Sequence, residues 1–269
     1  MIVRPKKALG QHFLKDLSIA QDIADALCGE ITKSSCLLEK MPVVEVGPGT
    51  GVLTQYLLKQ PHIDLCAVEI DKESIGYLLS HYSALQGRLI EADFLKLNLP
   101  LFFARPFCVI GNFPYNISSQ IFFKILDHRD LIPMAVGMLQ KEVAERITSP
   151  PGSKAYGILS VLLQAWYRIE LLFTVQAHHF LPPPKVQSAV VRLTRNSCMS
   201  LPCSESLFKQ VVKITFNQRR KAIRNSIKQL SGVTSVPNHP LLSLRPEQLS
   251  VSQFVELTIF ISNLLPQRD

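Results

Sequence analysis

The chain has 269 residues, 47% of them hydrophobic, and a formal net charge of +8. That composition can bury a sizeable core, which excludes a disordered or solvating chain. No apolar run approaches the roughly 18 residues of a membrane span, and no apolar stretch follows the basic segment Met1 to Lys7, so neither a membrane protein nor a secreted one is expected and the cytoplasm is the expected compartment.

In chain order, Ile19, Ile23, Ala26 and Leu27 form the apolar stripe of a helix ahead of the first strand. Pro42 to Val46 reads as a short buried strand running into Gly47-Pro48-Gly49-Thr50-Gly51, with a helical pattern at Leu53, Tyr56 and Leu57 beyond it. A second buried strand, Asp64 to Asp71, carries Glu69 near its carboxyl end, and a third, Arg88 to Glu91, leads into Ala92-Asp93-Phe94. The apolar run Phe107 to Gly111 then delivers Asn112-Phe113-Pro114-Tyr115. Further strands are predicted at Met134 to Leu139, Ile169 to Val175 and Ser188 to Leu193, with a helix from Gly157 to Trp166. Pro182-Pro183-Pro184 cannot enter a ladder and is read as a stiff loop that holds Phe180 in place. Past Thr194 the composition turns to Asn, Ser, Cys and Pro, which marks a domain boundary: residues 1–195 form an α/β domain, and 196–269 a small helical one with helices over Ser206 to Leu230 and Val251 to Leu264.

The chemistry is set by the residues at the strand ends. Glycines at alternate positions let backbone approach a ligand and turn sharply into a helix. The spacing Glu45-x-Gly47-x-Gly49-x-Gly51 is the form used by methyltransferases that bind S-adenosylmethionine, not the G-x-G-x-x-G of dinucleotide enzymes. Glu69 lies about 20 residues past the loop, where an acid that holds ribose hydroxyls is expected, and Asp93 is placed to accept from a cofactor's adenine amine. Asn112 suits methylation of an amino nitrogen on a base, whose lone pair is delocalised into the ring. A side-chain amide oxygen and a nearby backbone carbonyl, set along the two N–H bonds, favour a pyramidal nitrogen with its lone pair facing the methyl group. Pro114 stiffens the turn, and Tyr115 offers a flat face for an extruded base. All these groups fall at the carboxyl ends of one sheet, where ligands bind in open α/β folds.

Charge is concentrated late in the chain: residues 198–269 hold nine basic side chains against four acids, a balance of +5. Arg219, Arg220, Lys221, Arg224 and Lys228 fall at helical spacing with Ile223 and Ile227 available for a core, so a basic stripe along one helix is expected to meet a phosphate backbone. Arg4, Lys6 and Lys7 form a second basic cluster. The six cysteines, Cys28, Cys36, Cys66, Cys108, Cys198 and Cys203, lack the paired spacing of a zinc site and read as free thiols. No Cys or acid cluster accompanies His178-His179, so no metal is expected.

These motifs together resemble the small-subunit ribosomal RNA adenine dimethyltransferases, the KsgA family. The resemblance runs from Leu9-Gly10-Gln11-His12-Phe13-Leu14 through Val44 to Gly51, Asn112 to Ser118 and Phe180 to Val186, and ends at Phe216-Asn217-Gln218-Arg219-Arg220-Lys221. It implies a Rossmann-like methyltransferase domain, S-adenosylmethionine as methyl donor, and double methylation of two adjacent adenosines near the end of small-subunit rRNA, with that rRNA or the pre-mature small subunit as partner; a monomer is the default expectation. It also implies that His12 and Leu14 close over the cofactor, that Gly47, Gly49, Glu69, Asp93 and Asn112 line its site, and that Phe180 stacks on the target adenine opposite Tyr115. Departures from the commonest pattern are His12 for Asn, Phe113 for Leu, and Gln187 where Asp is frequent. Two rival readings are a large-subunit adenine methyltransferase of the antibiotic-resistance type and a non-catalytic assembly factor. The basic segment Phe216 to Lys221 argues against the first, and the intact Asn112 to Tyr115 motif against the second.

Overall fold

The computed structural model describes residues 3–34, 39–230 and 237–265; Cys36 and Arg268 lie outside them. The chain divides into two compact units, Met1–Ala144 with Arg168–Arg195, and Glu145–Tyr167 with Asn196–Asp269.

The first unit opens with a short strand β1 (Phe13–Leu14) and the helix α1 (Leu17–Ser34), followed by β2 (Met41–Val46), α2 (Thr54–Leu57), β3 (Ile63–Glu69), α3 (Lys72–His81), β4 (Leu89–Glu91), α4 (Leu99–Phe102), β5 (Cys108–Asn112), α5 (Ser118–Asp127) and β6 (Met134–Gln140). The helices α6 (Lys141–Thr148) and α7 (Ile158–Gln164) come next, and then β7 (Tyr167–Val175), β8 (Phe180–Leu181) and β9 (Ser188–Arg195). Seven strands form one sheet in the order β4-β3-β2-β5-β6-β9-β7. Strands β2 to β6 pair in parallel and β9 runs antiparallel to β6. The strand order reverses at β2, between β3 and β5, so the crevice of this α/β sheet opens at the carboxyl ends of β2 and β5.

Local chemistry explains the elements. The inner strands are continuous apolar runs, as expected of strands covered on both faces: Val43, Val44, Val109, Ile110, Ala135 and Val136 are all fully buried. Asp16 caps α1 by accepting from the Ser18 and Ile19 amides, and Ala20, Ile23, Leu27 and Ile31 of that helix enter the core. The Phe113 ring, fully buried, lies against Gly111 and Gly137, which are register partners across β5 and β6. A Cβ at Gly137 would overlap the edge of the Phe113 ring. The larger side chain at the position where Leu is frequent is thus accommodated by two facing glycines, and its effect is on packing.

The second unit holds α7 together with α8 (Glu205–Asn217), α9 (Ile223–Ile227) and α10 (Val251–Ser262). Segment 145–167, which the sequence pattern places in the first domain, belongs here because α7 is apolar on most of its surface, burying Leu159, Val161, Leu162 and Leu163, and needs helical neighbours on several sides. Trp166 packs edge-on to Phe208 with ring centroids 6.0 Å apart, and Tyr156 to Phe216 at 6.1 Å.

The single helix expected over Ser206 to Leu230 is two. α8 ends at Asn217, and the Ile223 amide is taken by the Leu244 carbonyl at 2.9 Å, which draws the backbone out of the helix before α9 begins. The basic residues therefore form no continuous helical stripe. Arg219 to Lys221 lie in the connecting turn; Arg220, Lys221 and Lys228 are exposed, whereas Arg219 donates to the Ser153 carbonyl and Arg224 to Asn238. Among the described residues no helix is long and apolar enough to cross a membrane.

Candidate active site

Each predicted acid stands where a parallel strand ends. Gly47, Gly49 and Gly51 all have positive φ, at 66°, 58° and 79°, a conformation that L side chains adopt only with strain. At Gly47 a Cβ would meet nothing within 4 Å, so this backbone borders open space. At Gly49 a Cβ would come within 2.9 Å of the Phe13 ring.

Glu69 closes the loop from below. Its carboxylate accepts from the amides of Gly49 at 3.1 Å, Ile70 at 2.8 Å and Asp71 at 2.9 Å. Burial pushes its pKa up and these amides push it down, with burial prevailing. Behind the loop, Glu45 is fully enclosed. Its Oε2 accepts from Thr54 at 2.6 Å, its Oε1 has no partner among the described residues, and burial raises its pKa to about 7.

Asp93 caps the turn after β4 by accepting from the Leu95 amide at 2.9 Å. The turn is fastened by Lys124 of α5, whose ammonium donates to the carbonyls of Leu95 at 2.9 Å and Leu97 at 2.6 Å and lies 5.8 Å from the Phe94 ring centroid.

The N-terminal segment lies across this end of the sheet. Lys6 pairs with Asp71 and, at 3.2 Å, with Glu73. Burial alone would raise the Asp71 carboxyl, but hydrogen bonds from Lys6 and Ser74 hold it below its ordinary range. β1 pairs antiparallel with β8, Phe13 opposite Leu181 and Leu14 opposite Phe180. The His12 Nδ1 lies 2.8 Å from the Pro182 carbonyl, and the His12 carbonyl accepts from Asn112 Nδ2 at 2.9 Å. That contact fixes the Asn112 amide and directs its oxygen away from the segment.

These groups line a cleft with the concave form of a ligand-binding pocket. Its walls include Gly47, Glu69, Asp93 and Asn112, with Phe94 and Ile70 as apolar surfaces, and the segment from Leu9 to Phe13 covers it. An outer cavity shares His12, Tyr115 and Asn116 with the first and continues to Gln140 and Pro182 to Val186. Tyr115 stands at the junction. Its ring stacks on His12 with centroids 5.2 Å apart, and its hydroxyl meets Ser188 Oγ.

Two residues are placed differently from expectation. Phe180 is 1% exposed and packed in the apolar core with Leu14, so the aromatic ring beside Tyr115 is that of His12. Pairing of β8 with β1 turns the Phe180 side chain inward. Leu14 is buried and borders a narrow crevice that it shares with the glycine loop. Gln187, where an acid is frequent, accepts from Lys141 at 3.0 Å as a neutral group. His179 pairs with Asp16 at 2.8 Å. Sequence reasoning missed Ile70, half exposed on the cleft wall directly after Glu69, and Lys124, a lone cation on an apolar helix that carries no motif.

The cleft fits S-adenosylmethionine by the chemistry of its walls: an open glycine backbone, one carboxylate at the end of β3, one after β4, and apolar faces for an adenine ring. Fold and site define a Rossmann-like methyltransferase that uses S-adenosylmethionine. The chain belongs to the ribosomal RNA adenine dimethylase family, whose profile matches residues 2–257. It is 60% identical over 260 residues to the ribosomal RNA small subunit methyltransferase A of Parabacteroides distasonis, spanning 96% of this chain and 94% of that protein, and 58% identical to the protein of that name in Bacteroides thetaiotaomicron, with the same shares covered. Among solved structures it is similar to a dimethyladenosine transferase from Plasmodium falciparum, with a TM-score of 0.74, 25% identity, and 94% of this chain and 98% of that one covered. It is also similar to the 23S rRNA methyltransferase ErmE, with a TM-score of 0.65, 25% identity, and 91% and 98% covered.

Proposed function

We propose that the chain is a small-subunit rRNA adenine N6-dimethyltransferase, which methylates twice each of two adjacent adenosines in the 3′-terminal hairpin and works as a cytoplasmic monomer on the assembling subunit. The observation that carries this reading is the Asn112 amide: with Nδ2 committed to the His12 carbonyl, Oδ1 is left to accept from an exocyclic amine. Bound S-adenosylmethionine supplies an electrophilic methyl group. Glu69 holds the ribose hydroxyls, Asp93 accepts from the cofactor's adenine amine, and the glycine loop at Gly47 and Gly49 admits its methionyl end.

The protein aligns and polarises the target nitrogen. Asn112 Oδ1 and the Phe113 carbonyl accept from its two N–H groups, and the lone pair is gathered toward the methyl group. Tyr115 stacks the extruded base, and the 3′ hairpin is held by exposed Arg220 and Lys221, with Arg219 and Arg224 bracing that turn. Apolar walls at Ile70, Phe94 and Leu95 keep water from the transfer. Small-subunit specificity is favoured over the large-subunit alternative by the greater identity to the small-subunit enzymes.

The test is to incubate the protein with labelled S-adenosylmethionine and under-methylated small subunits, with large subunits as control, and to identify the modified nucleosides by mass spectrometry. Dimethyladenosine in small-subunit rRNA alone is expected. Label in large-subunit rRNA, or no transfer despite cofactor binding, overturns the reading.

A further inference from the structure

Tyr115 sits in a loop, and a tyrosine ring on a loop is free to turn about two side-chain torsions. A stacking platform that must meet a base in one orientation gains from losing that freedom before the base arrives. Two contacts fix the ring. On one face it lies against His12, itself tethered to the Pro182 carbonyl at 2.8 Å. At its far end the phenol meets the hydroxyl of Ser188. Ser188 is 0% exposed and is the first residue of β9, in register with Gln140 of β6. It is therefore anchored in the sheet and not in a loop. Burial pushes the Tyr115 phenol above its ordinary pKa, so it remains an O–H at working pH.

We propose that Ser188 is a positioning residue for methyl transfer: its buried hydroxyl holds the Tyr115 ring in the orientation on which the target adenine stacks. Phe180, the aromatic expected to share this task, is sealed in the core, which leaves the orientation of the stack to Tyr115 and the groups that hold it. The inference rests on the reading of Tyr115 as the base platform. Ser188 touches neither base nor cofactor in this arrangement. Its removal acts through the ring.

The test is a double-mutant cycle of Ser188→Ala and Tyr115→Phe, which remove the same hydrogen bond from opposite ends, with Tyr115→Ala as reference. Methyl transfer to under-methylated small subunits is followed in single turnover, alongside cofactor affinity and melting temperature. Each single variant is expected to slow transfer about five- to tenfold, the worth of one neutral hydrogen bond. Cofactor affinity should stay at the wild-type value, and the double variant should be no slower than either single one. Losses that multiply in the double variant would show that Ser188 acts by another route and overturn the proposal. Wild-type rates in Tyr115→Phe, with Tyr115→Ala inactive, would overturn the tether and leave the platform intact; this arm stands even where Ser188→Ala does not fold. Wild-type rates in Tyr115→Ala would instead remove the platform reading, and the inference with it.

Discussion

Replacing Asn112 with Ala removes two contacts whose energies appear in different measurements. The first is the donation from Nδ2 to the His12 carbonyl over 2.9 Å. It is a neutral, partly buried hydrogen bond, and its loss costs about 1 kcal/mol of stability, or about 2–4 °C in melting temperature for a chain of this size. The second is acceptance of the target amine by Oδ1, which strengthens only as the nitrogen becomes pyramidal. Removal of one preorganised polar group of this kind costs about 2.7–4 kcal/mol of activation free energy, a 10²–10³-fold fall in kcat. Asn112→Asp separates the two, because it keeps an acceptor but sets a carboxylate oxygen against the His12 carbonyl. It should fall between wild type and Ala in turnover while matching or exceeding the Ala variant's loss of stability. The assay is single-turnover transfer from labelled S-adenosylmethionine at saturating cofactor, with cofactor affinity measured by calorimetry. An Ala variant that turns over within about threefold of wild type would refute the amide's role in the transition state.

Three further expectations come from packing and charge. Gly137→Ala drives a methyl group into the enclosed Phe113 ring and should destabilise the protein by about 1–3 kcal/mol in urea titration; adding Phe113→Leu should recover most of that loss, and equal stabilities for all three proteins would deny the confinement. Glu45 has a folded pKa of about 7 against an ordinary 4.5, so between those values the folded state holds a proton that the unfolded state has released. The contribution of this group to stability is then greatest below pH 4.5 and declines by about 3 kcal/mol as pH rises to about 7, a component of the pH dependence that Glu45→Gln should remove in melts between about pH 5 and 8. Changing Arg220 and Lys221 together to Ala should weaken rRNA binding and reduce the slope of log affinity against log salt by about 1.5–2 if each meets one phosphate; an unchanged slope would place the RNA elsewhere.

Much of the site was legible because its residues are bound to strand ends by local rules. An apolar run of five or six residues in this alternating pattern reads as a buried strand, and the residues just past its carboxyl end must lie at the edge of the sheet. Glu69, Asp93 and Asn112 were found that way, and the structure brings all three to one cleft. The glycine loop was equally plain, since only glycine suits three positive φ angles in five residues.

What the sequence by itself determined, then, was the alternation of strands and helices, the order of the motifs and the chemistry each suits. Tertiary structure decided which way side chains turn and what they meet. Phe180 belongs to a motif, yet pairing of its two-residue strand with β1 sends the ring into the core and leaves His12 against Tyr115. The basic run 219–228 has helical spacing, but a hydrogen bond from Ile223 to a carbonyl 21 positions later, that of Leu244, divides the helix. Helix α7 has the pattern of any buried helix, and the segment that carries it belongs with the C-terminal unit through partners more than 40 residues further along, such as Phe208 against Trp166 just past the helix. In each case periodicity reports only that a residue is apolar or charged on one face. The partner of that face is set by contacts distant in sequence, and no local pattern encodes them.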